Sequence, residues 1–177
     1  YGYIRLAQFQ DGSSSEFQTA LEKLGGEDGK NLKGLIVDVR NNPGGLLSNA
    51  VQIASMFLEK GIIVSTIDAE GYKQSQVSAG SPISTQPMVV LINKGSASAS
   101  EILSGALRDN GRARLVGEKS FGKGLVQAIN RLDDGSGINV TIARYLTPND
   151  TDINKTGIIP DFKVELKEED YKETKGP

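Results

Sequence analysis

Three alternate serines, Ser96, Ser98 and Ser100, stand in Asn93-Lys94-Gly95-Ser96-Ala97-Ser98-Ala99-Ser100-Glu101, between an apolar run and a helical stretch. A hydroxyl becomes a useful nucleophile only beside a base. The chain has no His and no Cys. That excludes an imidazole triad, thiol nucleophiles, disulfides and thiolate or imidazole metal sites. Carboxylates, Tyr and Lys remain as bases. Lys123 lies between two glycines in Gly117-Glu118-Lys119-Ser120-Phe121-Gly122-Lys123-Gly124-Leu125-Val126-Gln127, where a loop enters a strand. A free Lys is charged at neutral pH, so a lysine base needs a site that disfavours the charge, and burial supplies one. Gln127, four residues on, can hold the amine through its amide oxygen without adding charge. A third segment, Arg40-Asn41-Asn42-Pro43-Gly44-Gly45, leaves backbone N–H groups uncovered by side chains, as an oxyanion hole requires. A serine at a helix start also meets unpaired N–H groups and the positive end of the helix dipole.

Each segment has a plainer reading. Ser98-Ala99-Ser100-Glu101 fits the S-x-x-E capping box. A loop lysine is usually solvated, a Pro-Gly-Gly stretch after a strand is usually a tight turn, and Gln127 suits a solvent-facing strand position. Gly117-x4-Gly122-Lys123 also matches the start of a phosphate-binding loop. Its eighth position is Gly124 instead of a Mg²⁺-holding hydroxyl, and Leu125 to Ile129 reads as a strand where that motif needs a helix. Nucleotide binding is therefore disfavoured.

The elements that must position these residues alternate between strand and helix. Tyr1 to Phe9 reads as a strand. A helix follows with Phe17, Ala20, Leu21 and Leu24 on one face, stopped by Gly25-Gly26. Gly34 to Val39 and Met88 to Ile92 are short apolar runs, typical of strands buried on both faces. Helices are expected from about Leu46 to Leu58 and from Ser98 to Asn110. Further strands are expected at Ile62–Ile67 and Tyr72–Val77, a hairpin around Glu70-Gly71, and at Arg114–Val116, Leu125–Leu132 and Ile138–Tyr145, the last two paired across Asp133 to Gly137. This order implies layered α/β architecture in one domain, 1–166, with a charged and frayed tail, 167–177.

The chain has 177 residues, a single-domain length. Its 20 basic and 22 acidic residues give a net charge of -2, which offers nothing to attract nucleic acid or an anionic membrane. No apolar run is long enough to span a bilayer. The chain opens in a strand without a signal peptide, so it reads as an excised core or mature fragment. The lack of Cys suits an extracytoplasmic protein.

At these motifs the sequence resembles the carboxyl-terminal processing proteases, the S41 peptidases, also called tail-specific proteases. The resemblance covers nearly the whole chain. It rests on Ser96 to Glu101 followed by Leu107-Arg108-Asp109-Asn110-Gly111-Arg112-Ala113, and on Ser120 to Gln127. It extends to Tyr145-Leu146-Thr147-Pro148, Lys155-Thr156-Gly157-Ile158 and Pro160-Asp161. The resemblance implies a nucleophile at Ser98, a base at Lys123, an orienting amide at Gln127 and an oxyanion hole from the N–H groups of Gly45 and Ala99. Asp109 matches an acidic position of the family, but it lies about three helical turns from Ser98 and is expected to be structural. The fold implied is similar to the ClpP/crotonase group. The activity implied is extracytoplasmic cleavage of proteins from their C-terminal region, in the periplasm, cell envelope or thylakoid lumen, without ATP, metal or other cofactor. Substrates with accessible C-terminal tails and a possible homo-oligomer are the partners expected. The PDZ domain that captures such tails in the family has no room in this chain. The alternative is a non-catalytic peptide- or ligand-binding module of the same fold.

Overall fold

The computed structural model describes residues 1–25, 32–80 and 82–165. Its elements are β1 (Gly2–Arg5), α1 (Ser13–Gly25), β2 (Leu35–Asp38), α2 (Leu47–Ser55), β3 (Ile62–Asp68) and β4 (Lys73–Val77), then β5 (Met88–Ile92), α3 (Ala99–Asp109), β6 (Arg114–Gly117), β7 (Leu125–Arg131), β8 (Gly137–Leu146) and β9 (Phe162–Lys163). Element types and order follow the sequence reading. β9 was not foreseen, and the first strand is shorter than expected. Gly26 and the tail 167–177 lie outside the described residues.

The strands form two sheets. One has the order β1-β2-β5-β6-β9 with every neighbour parallel. Each step along this sheet moves in the same direction, so right-handed crossovers leave the intervening helices on one face. The core lies between that face and the helices. Ile4, Val37, Val90, Ile92 and Leu115 come from the strands, and Ile53, Ile102, Leu103 and Leu107 from the helices. Phe17 of α1 meets Phe57, just beyond α2, edge to face at 6.0 Å.

The opposite face is open, which corrects the expectation of strands buried on both sides. Ile36, Val89, Leu91 and Val116 there are only half-buried. The physical reason is topological: a sheet wound in one direction receives helices on one side only. Asp38 lies on this open face yet is buried, because Arg40 and Tyr3 cover it. Asp38 Oδ1 accepts from the Arg40 backbone N–H at 2.9 Å and from Nε at 3.0 Å. Oδ2 accepts from Arg40 Nη2 and from the Tyr3 hydroxyl, both at 2.7 Å. Burial pushes the Asp38 carboxyl up, but the bonds from Arg40 and Tyr3 outweigh it and hold the group below its ordinary value.

A carboxyl lowered by folding adds stability above its unfolded pKa, and that stability is lost as pH falls through the folded value. Arg40→Ala is therefore expected to cost about 1–2 kcal/mol near neutral pH, allowing for the partial exposure of the guanidinium. The difference from the parent should shrink as pH falls below about 4. Urea denaturation at two pH values checks both points; a loss that does not change with pH would count against the Asp38 pairing.

The second sheet is antiparallel, with the order β4-β3-β8-β7. The β3–β4 and β7–β8 pairings are the two hairpins expected from sequence.

Candidate active site

Asn42, fully buried just after β2, fastens the glycine turn to the serine segment. Its side-chain amide donates to Leu6 O at 2.7 Å, and its Oδ1 accepts from the Gly44 N–H at 2.9 Å. Its carbonyl accepts from the Ala97 N–H and the Ser100 hydroxyl, both at 3.0 Å. Phe9 straps the turn from the other side: its N–H donates to Gly44 O at 3.0 Å and its carbonyl accepts from the Leu46 N–H at 2.8 Å. Only glycine fits here. Gly44 and Gly45 have φ of 99° and 140°. A Cβ on Gly44 would stand 2.7 Å from Ser98 Cβ and 2.9 Å from Ala99 N, and one on Gly45 would stand 1.9 Å from Phe9 O. Among the described residues neither the Gly45 nor the Ala99 N–H has a hydrogen-bond partner. Ala99 follows Ser98 directly, and the Gly44–Gly45 turn packs against both, so the two unpaired donors belong to the segments that meet at Ser98.

The backbone separates the three serines. Ser98 holds φ 55° and ψ -117°, a conformation that strains any residue with a Cβ. Strain of this kind costs about 1–3 kcal/mol and collects at functional sites. Here it falls at the sharp turn between β5 and α3, the setting that presents a nucleophilic serine on a strand–turn–helix elbow. Ser96 and Ser100 are fully buried ties. The Ser96 hydroxyl donates to Val39 O at 2.8 Å and accepts from the Asn93 N–H at 3.0 Å. Ser98 is half-buried. Its hydroxyl faces the Glu101 N–H as in a capping box but makes no cap hydrogen bond, because that N–H donates to the Ser98 carbonyl at 2.8 Å.

Glu101 is the residue whose part the sequence reading missed. It is fully buried. Its Oε2 accepts from the backbone N–H groups of Ser98 at 2.9 Å and Lys123 at 2.8 Å. Its Oε1 accepts from the Gly122 N–H at 2.7 Å and the Ser120 hydroxyl at 2.5 Å. One carboxylate thus bridges the serine elbow and the lysine loop, and the Ser98 and Lys123 amides share one oxygen. The available signal was the S-x-x-E pattern, which explains only the first of these four bonds. The same contacts dispose of the phosphate-loop resemblance: the Gly122 and Lys123 N–H groups are already committed to Glu101, and residues 125–131 form a strand.

The lysine loop is clamped on its other side. A Cβ on Gly124 would meet Asn154 N at 2.4 Å, and one on Gly122 would meet Lys155 at 3.1 Å. The Lys123 side chain itself is exposed, which corrects the expectation of a buried amine. Small glycines flank it. Among the described residues its amine makes no hydrogen bond to Ser98 or to Gln127, which is exposed on β7. The structure therefore brings together Gly45, Ser98, Ala99 and the Lys123 backbone, and leaves the Lys123 amine and the Gln127 amide unjoined. The Asp109 carboxylate is buried against Arg108 at 2.8 Å and accepts from the Asn149 N–H at 3.2 Å, a structural role as expected. A concavity of about 600 Å³, lined in part by Thr66, Asp68, Tyr72 and Val126 on the antiparallel sheet, contains none of the site residues.

Glu101→Gln tests the bridge. An amide puts an NH₂ among four donors, so at least one buried donor loses its acceptor. We expect a loss of about 2–4 kcal/mol in urea denaturation. We also expect turnover to fall more than substrate affinity, because the elbow and the loop lose their common anchor. Unchanged stability together with unchanged turnover would sink this role.

Comparison with known proteins places these residues in context. The family described as Peptidase family S41 matches residues 1–164. The carboxyl-terminal-processing protease of Synechocystis sp. is 50% identical over 164 residues, covering 93% of this chain and 38% of that protein. Carboxyl-terminal-processing peptidase 2, chloroplastic, of Arabidopsis thaliana is 45% identical over 165 residues, covering 92% of this chain and 32% of that protein. Among solved structures, the photosystem II D1 C-terminal processing protease superposes with a TM-score of 0.86 at 43% identity, covering 92% of this chain and 42% of that one. The chain thus spans well under half the length of the relatives it matches.

Proposed function

This chain belongs to peptidase family S41, and from that premise we propose that it is the catalytic core of a serine endopeptidase with a Ser98–Lys123 dyad. Lys123, uncharged, takes the proton of Ser98 as its Oγ attacks the scissile carbonyl carbon. The N–H groups of Gly45 and Ala99 stabilise the oxyanion. Collapse expels the amine, which leaves with the proton held by Lys123, and water then hydrolyses the acyl-enzyme. Gln127 orients the amine once substrate is bound and water is displaced from the exposed lysine. Substrates are proteins cleaved in their C-terminal regions, and the compartment is extracytoplasmic. Tail capture by a PDZ-type domain belongs to polypeptide beyond these residues.

The observation that carries this reading is the strained Ser98 turn packed against Gly44, with the N–H groups of Gly45 and Ala99 unpaired among the described residues. A peptide-binding module without turnover draws support from the Lys123 amine, which makes no bond to Ser98. Digestion of an unstructured protein by the enzyme in its full polypeptide, with the fragments mapped by mass spectrometry, separates the two. Fragments that vanish in Ser98→Ala support the peptidase; intact substrate held by the protein supports the module.

A further inference from the structure

β7 is an outer strand of the antiparallel sheet, so among the described residues one of its edges is unpaired. Its hydrogen-bond phase can be read from both ends. Gly124 O accepts from the Tyr145 N–H at 2.7 Å, and the Leu132 N–H donates to Ser136 O at 2.8 Å. Both are even-numbered residues turned towards β8. The odd ones, Leu125, Gln127, Ile129 and Arg131, therefore turn their N–H and C=O groups outward. No loop or side chain among the described residues bonds to those groups.

This edge starts beside the chemistry. Leu125 follows Lys123 by two residues, at most about 7 Å of chain, and the Lys123 and Ser98 amides share Glu101 Oε2. The β7–β8 register shifts between Val126 and Gln127, where Ile142 of β8 has no partner on β7; the extra residue is in β8, so β7 keeps the same phase from end to end. Exposed edges are normally guarded by shortness, Lys or Pro. β9 has two residues, and β4 carries Lys73. β7 has seven residues, neither Lys nor Pro, a single charge, Arg131, at the end away from Lys123, and an Ile129 that is 74% exposed.

We infer that the scissile segment of the substrate binds as an added strand on the outer edge of β7. Its main chain pairs with the outward groups of Leu125, Gln127 and Ile129 and carries the target carbonyl to Ser98. This inference rests on the peptidase reading and adds to it the surface that aligns the peptide. Main-chain pairing is indifferent to sequence, so the substrate must be locally unfolded and extended.

The test uses a short synthetic peptide spanning a cleavage site mapped in β-casein, assayed with the full enzyme. N-methylation of single amides in that peptide removes one donor at a time. Methylation at alternate residues on one side of the scissile bond should raise KM roughly three- to tenfold and leave kcat nearly unchanged. Ile129→Pro removes an outward N–H, a place where an edge strand tolerates proline, and should raise KM similarly. Fluorescence anisotropy with the Ser98→Ala protein should show the same alternation in Kd, which tests the edge independently of turnover. Methylation effects without alternation, or a KM and Kd indifferent to methylation, would overturn the edge while leaving the peptidase standing. Self-association through β7, seen by sedimentation as an assembly lost in Ile129→Pro while peptide affinity is unaltered, would overturn it too. Cleavage surviving in Ser98→Ala would instead overturn the peptidase mechanism, with the edge still judged by Kd.

Discussion

Replacing Ser98 with alanine is expected to abolish proteolysis, by roughly four orders of magnitude or more in kcat, while the fold is retained. The turn stays as strained as before, because alanine keeps the Cβ that makes φ 55° costly. No cap hydrogen bond is lost, since the hydroxyl makes none. The change in stability should therefore be small, below about 1 kcal/mol. Ser96→Ala and Ser100→Ala are expected to show the opposite pattern. Each removes a buried hydroxyl that ties the elbow to β2 or to Asn42, at 2.8 and 3.0 Å. Each should cost about 1–3 kcal/mol and keep substantial turnover. Parallel measurement of urea stability and of peptide hydrolysis for the three variants separates a nucleophile from two structural ties. If Ser100→Ala were the dead enzyme and Ser98→Ala stayed active, the assignment would be wrong.

Lys123→Ala and Lys123→Arg are both expected to lose turnover, by roughly a thousandfold or more, because a serine without an adjacent base is a poor nucleophile. Arginine is the more informative replacement. It keeps a positive charge at the position but does not give up its proton, so it cannot serve as a base. Neither variant should disturb the fold: the side chain is exposed, and only the Lys123 backbone N–H is bonded to Glu101. Lys119→Ala removes a nearby exposed charge and should keep most activity. Gln127→Ala should lower kcat more than it raises KM, since it leaves the outward main chain of β7 intact. A Lys123→Arg enzyme with near-normal turnover in a steady-state peptide assay would show that position 123 needs only a charge, and the dyad would be excluded.

Much of this was legible in the sequence. Strand and helix order follows from local periodicity, and the structure reproduces Met88–Ile92, both hairpins and the helix after Ser98. The absence of His and Cys excluded imidazole and thiol chemistry and left carboxylates, Tyr and Lys as the bases before any geometry was known. The Pro-Gly-Gly turn and the serine at a helix start announced where N–H groups would be left unpaired, because both are backbone properties set within a few residues.

What the sequence could not decide depends on residues far apart in the chain. The parallel order β1-β2-β5-β6-β9 leaves one face open, although the apolar runs suggested burial on both. Ser98 differs from Ser96 and Ser100 in its backbone conformation, which the close approach of Gly44 fits, and in being only half-buried, neither of which three chemically identical side chains reveal. Glu101 looked like a local cap. Only folding brings Ser120, Gly122 and Lys123 to its carboxylate from about twenty residues away. Burial is likewise a property of the assembled surface, and so the exposure of the Lys123 amine could not be read from the glycines beside it. Residue types limited which chemistry this chain can do; tertiary contacts decided which serine is strained, which amides are left unpaired and which carboxylate is buried between the serine turn and the lysine loop.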